Sequence, residues 1–150
     1  MTQQKKSKSM QLTIRTLRLG WHDKDEVMLH AAFQLLVDFV EQEHPDKHID
    51  WNHGVLHRRA WKEIRDLYRW WTVIRASRRD PLDDKRVAKP PLRFDKITGT
   101  KFSTLATPDK KKYAAYYRAL KQHTSLEQKW HDEDQHNLHR LIEIREFLWT

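Results

Sequence analysis

The chain has 150 residues, no cysteine, three glycines and a formal net charge of +8 with histidine counted neutral. Without cysteine, disulfides, thiolate metal centres and cysteine nucleophiles are excluded, and so few glycines disfavour an all-β meander with its tight positive-φ turns. A hydrophobic fraction of 38% against 33% charged residues predicts a thin core under a large polar surface, strengthened by seven tryptophans and five phenylalanines.

Residues 1–9 carry Lys5, Lys6 and Lys8 and read as a disordered basic tail ahead of a single domain at 10–150. No apolar segment of a signal peptide follows it, and no run approaches the roughly 18 apolar residues of a membrane span. A protein free of membrane contact in a reducing compartment, the cytoplasm, is the expectation. Residues 10–19 alternate, with Met10, Leu12 and Ile14 on one side and Gln11 and Thr13 on the other, which predicts a short strand until Leu17 and Leu19 slip the phase.

A first helix is predicted from Lys24 to about Glu43. Asp23 and Glu26 have the spacing of a capping box, and His44-Pro45 stops the helix because a residue before proline is driven out of the α region. Val27, Met28, Leu29, Ala31, Ala32, Phe33, Leu35, Leu36, Val37, Phe39 and Val40 make it apolar over most of its circumference, as befits the central helix of a domain. The narrow polar stripe Glu26, His30, Gln34, Asp38 and Gln42 is expected to face water. Its rival use is the one carboxylates serve on the inner helices of di-metal proteins. The polar loop 44–54 follows, with His44, His48 and His53 read as exposed.

A second helix runs from Val55 to Ser77. Its core stripe is Leu56, Ala60, Ile64, Leu67, Trp71 and Ile74, and a second stripe, Arg58, Lys62, Arg65 and Arg69, is basic, with Trp61, Tyr68 and Trp70 between the two. Asp80-Pro81 ends it. Residues 80–107, with Pro81, Pro90 and Pro91, are predicted as a long insert, either irregular or a hairpin of 92–97 with 100–105 about Thr98-Gly99. Thr107-Pro108 then reads as N-cap and first residue of a third helix. Ser125 and Gln128 predict a fourth helix from about Leu126, with one continuous helix to Trp149 as the alternative. Trp130, Leu138, Leu141, Ile144 and Leu148 share an arc into which Asp134, Asn137 and Arg145 also fall, so those three need partners. The apolar ending is expected to dock with Trp149 and Trp71 near one core. The fold class is therefore mainly α: a compact three- to four-helix bundle with a long irregular or β-hairpin insert.

Two constellations bear on chemistry. Asp132, His136, His139 and Glu143, spaced four, three and four apart, share a helix face and include metal-ligand types. A solvated stripe is the simpler account, and neither a metal nor a cofactor is assigned. The basic stripe Arg58, Lys62, Arg65 and Arg69, with aromatics alongside, is what a phosphate-tracking helix would carry. Lys110, Lys111 and Lys112 add charge where a helix dipole disfavours it. Glycines 20, 54 and 99 are isolated and no G-x-S-x-G or P-loop is present, so no catalytic residue is assigned. The expected function is non-enzymatic binding of nucleic acid or a nucleoprotein complex. A protein–protein adaptor or inhibitor, with 80–107 as its contact, and a metal-dependent hydrolase are the alternatives.

Three stretches, MLHAAFQLLVDFVEQEHP at 28–45, LYRWWTVIRASRRDPLDD at 67–84 and HRLIEIREFLWT at 139–150, together resemble small tailed-bacteriophage proteins of unknown function. That group has the same order of an FVE helix, a YxWW helix ending in an R-x-D-P turn, and a terminal RLIxIRxxLWT helix. The resemblance implies a phage-encoded protein in the host cytoplasm, whose partner in the adaptor or inhibitor alternative would be a host or phage complex, and it carries no mechanism.

Overall fold

Helix α1, Lys24–Asp38, continues as one π-helical turn, Phe39–Glu43, in a computed structural model that describes residues 11–149. The expected tail at 1–9 lies outside those residues. The helix ends at His44-Pro45 as expected, but His44 leaves the right-handed α region for the left-handed one, at φ 48°, ψ 57°, rather than for the extended region usual before proline. Pro45 then opens a four-residue helix α2, Pro45–His48. Trp51 pins this corner by donating its indole N–H to the Pro45 carbonyl at 3.1 Å. The capping box does not form. Asp23 makes no side-chain cap bond, and Glu26 instead lies 3.1 Å from Nδ1 of His22.

Helix α3, Val55–Arg69, passes into a π-helical turn, Trp70–Ile74, and a 3₁₀ turn, Arg75–Ser77. Ala60, Ile64, Leu67 and Trp71 are buried as the stripe predicts. The ends of the stripe depart from it, since Leu56 and Ile74 are exposed. Trp70 and Trp71 follow buried Leu67 at three and four residues and so share its face, while the π turn they open retards the helical phase and carries Ile74 outward.

The final long helix, α4, is one element, Ala114–Glu143, followed by a 3₁₀ turn, Arg145–Phe147. No break occurs at Ser125, so the division into third and fourth helices is corrected in favour of the continuous alternative, though the helix stops short of Trp149. A local cap signal without glycine or proline does not interrupt the i→i−4 ladder. Thr107-Pro108 does not start this helix either. Asp109 does the work of a cap further on, its carboxylate accepting from the backbone N–H of Lys111 at 2.8 Å and of Lys112 at 3.3 Å.

The 80–107 segment contains a two-stranded antiparallel hairpin, β1 Phe94–Lys96 and β2 Ser103–Leu105, in the register Phe94↔Leu105, Asp95↔Thr104, Lys96↔Ser103. Thr98 and Gly99 are the central residues of its turn, closed by Thr100 N–H to Ile97 C=O at 3.2 Å. Gly99 at φ 79° supplies the positive φ required there. The strand expected at 10–19 is absent among the described residues. Residues 11–23 have no regular secondary structure and no partner strand.

By its contacts the described chain falls into two compact units, residues 11–77 with 134–149, and residues 78–133. In the first, Phe33, Leu36 and Val37 of α1, Ile64 and Leu67 of α3, and Leu138 and Leu141 of α4 form one core. Phe33 stacks on Trp71 at 4.5 Å and 9° between planes. Two of the three polar residues on the α4 arc find partners. Asp134 receives a two-pronged contact from Arg75, at 3.1 Å to each carboxylate oxygen, and buried Asn137 accepts from Arg140 at 2.8 Å. Arg145 instead faces outward. Trp149 is 58% exposed, which corrects its expected place beside Trp71; Phe147 and Leu148 pack on the core in its stead. No helix among the described residues is long and apolar enough to cross a membrane.

Candidate nucleic-acid interface

The basic stripe of α3 faces outward along its whole length. Arg58, Lys62, Arg65 and Arg69 are all exposed, while Ala60, Ile64 and Leu67 fill the opposite side of the same helix. Burial of that apolar side fixes the rotation of α3 and so presents the cations together. From first to last the row spans twelve residues and is roughly 16 Å long, about five steps of the 3.4 Å phosphate spacing along one strand of a duplex.

The four cations differ in how far they are engaged. Lys62 Nζ stands 2.6 Å from Asp66, whose carboxyl is held below its usual range by that hydrogen bond. Arg58 donates to the Asn52 carbonyl at 3.2 Å, which steers its guanidinium toward the start of the helix. Arg65 lies 5.5 Å from the centroid of the Trp61 ring. Glu63 turns away from the row and binds Arg140 at 2.9 Å, so it does not neutralise the exposed arginines.

The aromatics beside the stripe are less available than the sequence pattern implies. Trp70 is a core residue, 5% exposed. Trp61 is half-buried and stacked on Trp51 at 4.9 Å and 13°. Tyr68 donates its hydroxyl to Glu41 at 2.9 Å, and that bond, with burial, raises the pKa of the phenol. The stripe is thus a row of charges over a packed aromatic layer, with no open stacking platform.

Lys110, Lys111 and Lys112 are exposed in the turn ahead of α4 and belong to the second unit, where they form a cluster of their own. Lys112 Nζ lies 5.5 Å from the centroid of the Tyr113 ring. The second unit is where the charge resides: residues 78–133 hold fourteen Lys and Arg against eight Asp and Glu, six of the eight net positive charges of the chain. Sequence reasoning centred on the second helix missed this because it weighed a stripe rather than segments.

It also missed the fate of the polar stripe on α1. His30 and Gln34 are buried, 6% and 2% exposed, not solvated as expected. The segment before α1 covers them. Thr16 Oγ1 lies 2.6 Å from His30 Nδ1, and the Arg15 N–H donates to Gln34 Oε1 at 3.0 Å. Gln34 in turn donates to Asp38 at 2.8 Å, and Arg15 Nη1 lies 3.0 Å from Asp38. One signal was available: the inner members of the stripe are uncharged amide and imidazole groups, which burial tolerates when paired.

Asp132, His136, His139 and Glu143 are all exposed. Asp132 accepts from Gln128 at 2.8 Å and His139 meets Gln135 at 3.2 Å. Among the described residues no group of three or more histidine and acidic side chains is gathered closely enough to hold a metal ion. His136 and Glu143 instead help line an open cleft of about 440 Å³ with Arg59, Glu63 and Arg140. Comparison with protein-family models, curated proteins and solved structures returns no match.

Proposed function

We propose that the chain is a non-enzymatic nucleic-acid-binding protein of a tailed bacteriophage, acting in the host cytoplasm on nucleic acid or on a nucleoprotein complex. In this reading Arg58, Lys62, Arg65 and Arg69 grip successive phosphates, and Lys110, Lys111 and Lys112 form a second contact. The helices serve as a compact three- to four-helix bundle that holds the row rigid. The observation that carries the reading is the exposure of all four stripe cations on one side of a helix whose other side is core. Arginine suits this use because its planar fork meets two phosphate oxygens at once. With no open ring beside it, the row reads backbone charge and carries no base specificity. The phage assignment rests on the wording of the three stretches at 28–45, 67–84 and 139–150.

Fluorescence anisotropy with labelled DNA and RNA tests the reading, comparing the wild type with Arg65→Glu/Arg69→Glu. Both side chains are exposed, so the variant is expected to keep its fold and lose binding to duplex DNA and duplex RNA. Equal binding by wild type and variant would remove α3 from the interface.

A further inference from the structure

We propose that the β1–β2 hairpin is a second site, specific for single-stranded nucleic acid, in which Phe94 and Phe102 each stack an unpaired base while Arg93, Lys96 and Lys101 hold the adjoining phosphates. The site is distinct from the α3 row and does not require it. Every side chain from 91 to 105 is exposed, including Phe94 at 60% and Phe102 at 73%. A two-stranded hairpin with neither face covered is marginal by itself in water, and two open phenylalanines on it gain from any flat apolar surface laid against them.

The charge around the rings specifies the occupant. The hairpin carries Arg93, Lys96 and Lys101 against Asp95 alone, and its unit holds six of the eight net positive charges of the chain. Arg93 is only loosely tied to Asp95, at 3.8 Å between highly exposed side chains. Open aromatic faces among free cations answer to a polyanion that has flat rings of its own.

The register separates single strand from duplex. Phe94 stands opposite Leu105 on one face of the ribbon. Phe102, one residue before the paired Ser103, falls on the other face beside Ile97, whose N–H donates to the Phe102 carbonyl at 3.1 Å. An unpaired strand offers a base face at each nucleotide and is supple enough to wrap the edge of a ribbon two strands wide, reaching one ring on each face. Duplex bases are already stacked on one another and present a free face only at the ends.

The test uses the full chain and three labelled probes: oligothymidylate of about ten nucleotides, an abasic strand of the same length, and a duplex. Phe94→Ala/Phe102→Ala is expected to weaken oligothymidylate binding about tenfold or more, from the loss of two stacking contacts. Abasic-strand binding should be unchanged, and Phe94→Trp/Phe102→Trp should retain the wild-type affinity. On the Arg65→Glu/Arg69→Glu background, which removes the α3 row, binding of the abasic strand as tightly as oligothymidylate, a preference for the duplex, or no single-strand binding overturns the proposal. So does an alanine variant that binds oligothymidylate as the wild type does. Failure here with loss of binding in Arg65→Glu/Arg69→Glu leaves α3 as the interface; the reverse pattern leaves the hairpin and removes α3.

Discussion

At Thr16 a hydroxyl 2.6 Å from Nδ1 of His30 covers one end of the buried polar stripe of α1. His30 also meets the edge of Trp71, ring centre to ring centre 4.9 Å. Burial, and then the Arg75 cation, lower its pKa below the usual 6.5; Glu26 and Asp134 pull weakly the other way. The unfolded chain therefore takes up a proton at this site before the folded one does. Its contribution to stability is complete above 6.5, declines as pH falls from there toward the lowered folded value, and changes no further below it. His30→Gln should flatten that part of the stability–pH curve when urea unfolding is followed on both sides of 6.5. An unchanged slope in the variant would mean that other groups set it. His30 and Gln34 were legible as a stripe and illegible as buried groups: their partners come from residues 15 and 16, which have no periodicity to mark where they lie.

Among the elements, α1 and α3 were legible because their apolar residues recur at helical spacing over four turns and more, and burial of that face decides the structure. What escaped was set by local competition. The π turn at Trp70–Ile74 is a one-residue phase slip that carries Ile74 out of the core stripe. The hairpin turn was visible in Thr98-Gly99, whereas the exposure of both hairpin faces depends on what surrounds them and leaves no local mark. Ser125 marks a helix start that α4 overrides, and one substitution separates the two arrangements. Proline is tolerated at the first residue of a helix, so Leu126→Pro would be mild if Ser125 were an N-cap. Within the continuous α4 it removes a backbone hydrogen bond and should cost about 3 kcal/mol or more. Chemical unfolding monitored by helical circular dichroism measures it, and a stability near that of the wild type would speak for a break at 125.

For the molecule as a whole, a charge of +8 says only that a polyanion is a suitable partner; where the charge lies says more. Residues 11–77 with 134–149 contain twelve Lys and Arg against thirteen Asp and Glu, so the α3 row is a local concentration in a unit that is otherwise balanced. Two acids of that unit are engaged with other cations, Glu63 with Arg140 and Asp134 with Arg75, and do not pair with the exposed arginines of the row. Phosphate binding by such a row depends on counterion release and weakens steeply with salt. The most direct measurement is the salt dependence of the Kd for a labelled DNA duplex, for wild type and for Arg65→Ala/Arg69→Ala. Removing two phosphate contacts should lower the slope of log Kd against log salt by about two, one for each arginine. No binding at low salt, or the same slope in both proteins, would contradict an interface on α3.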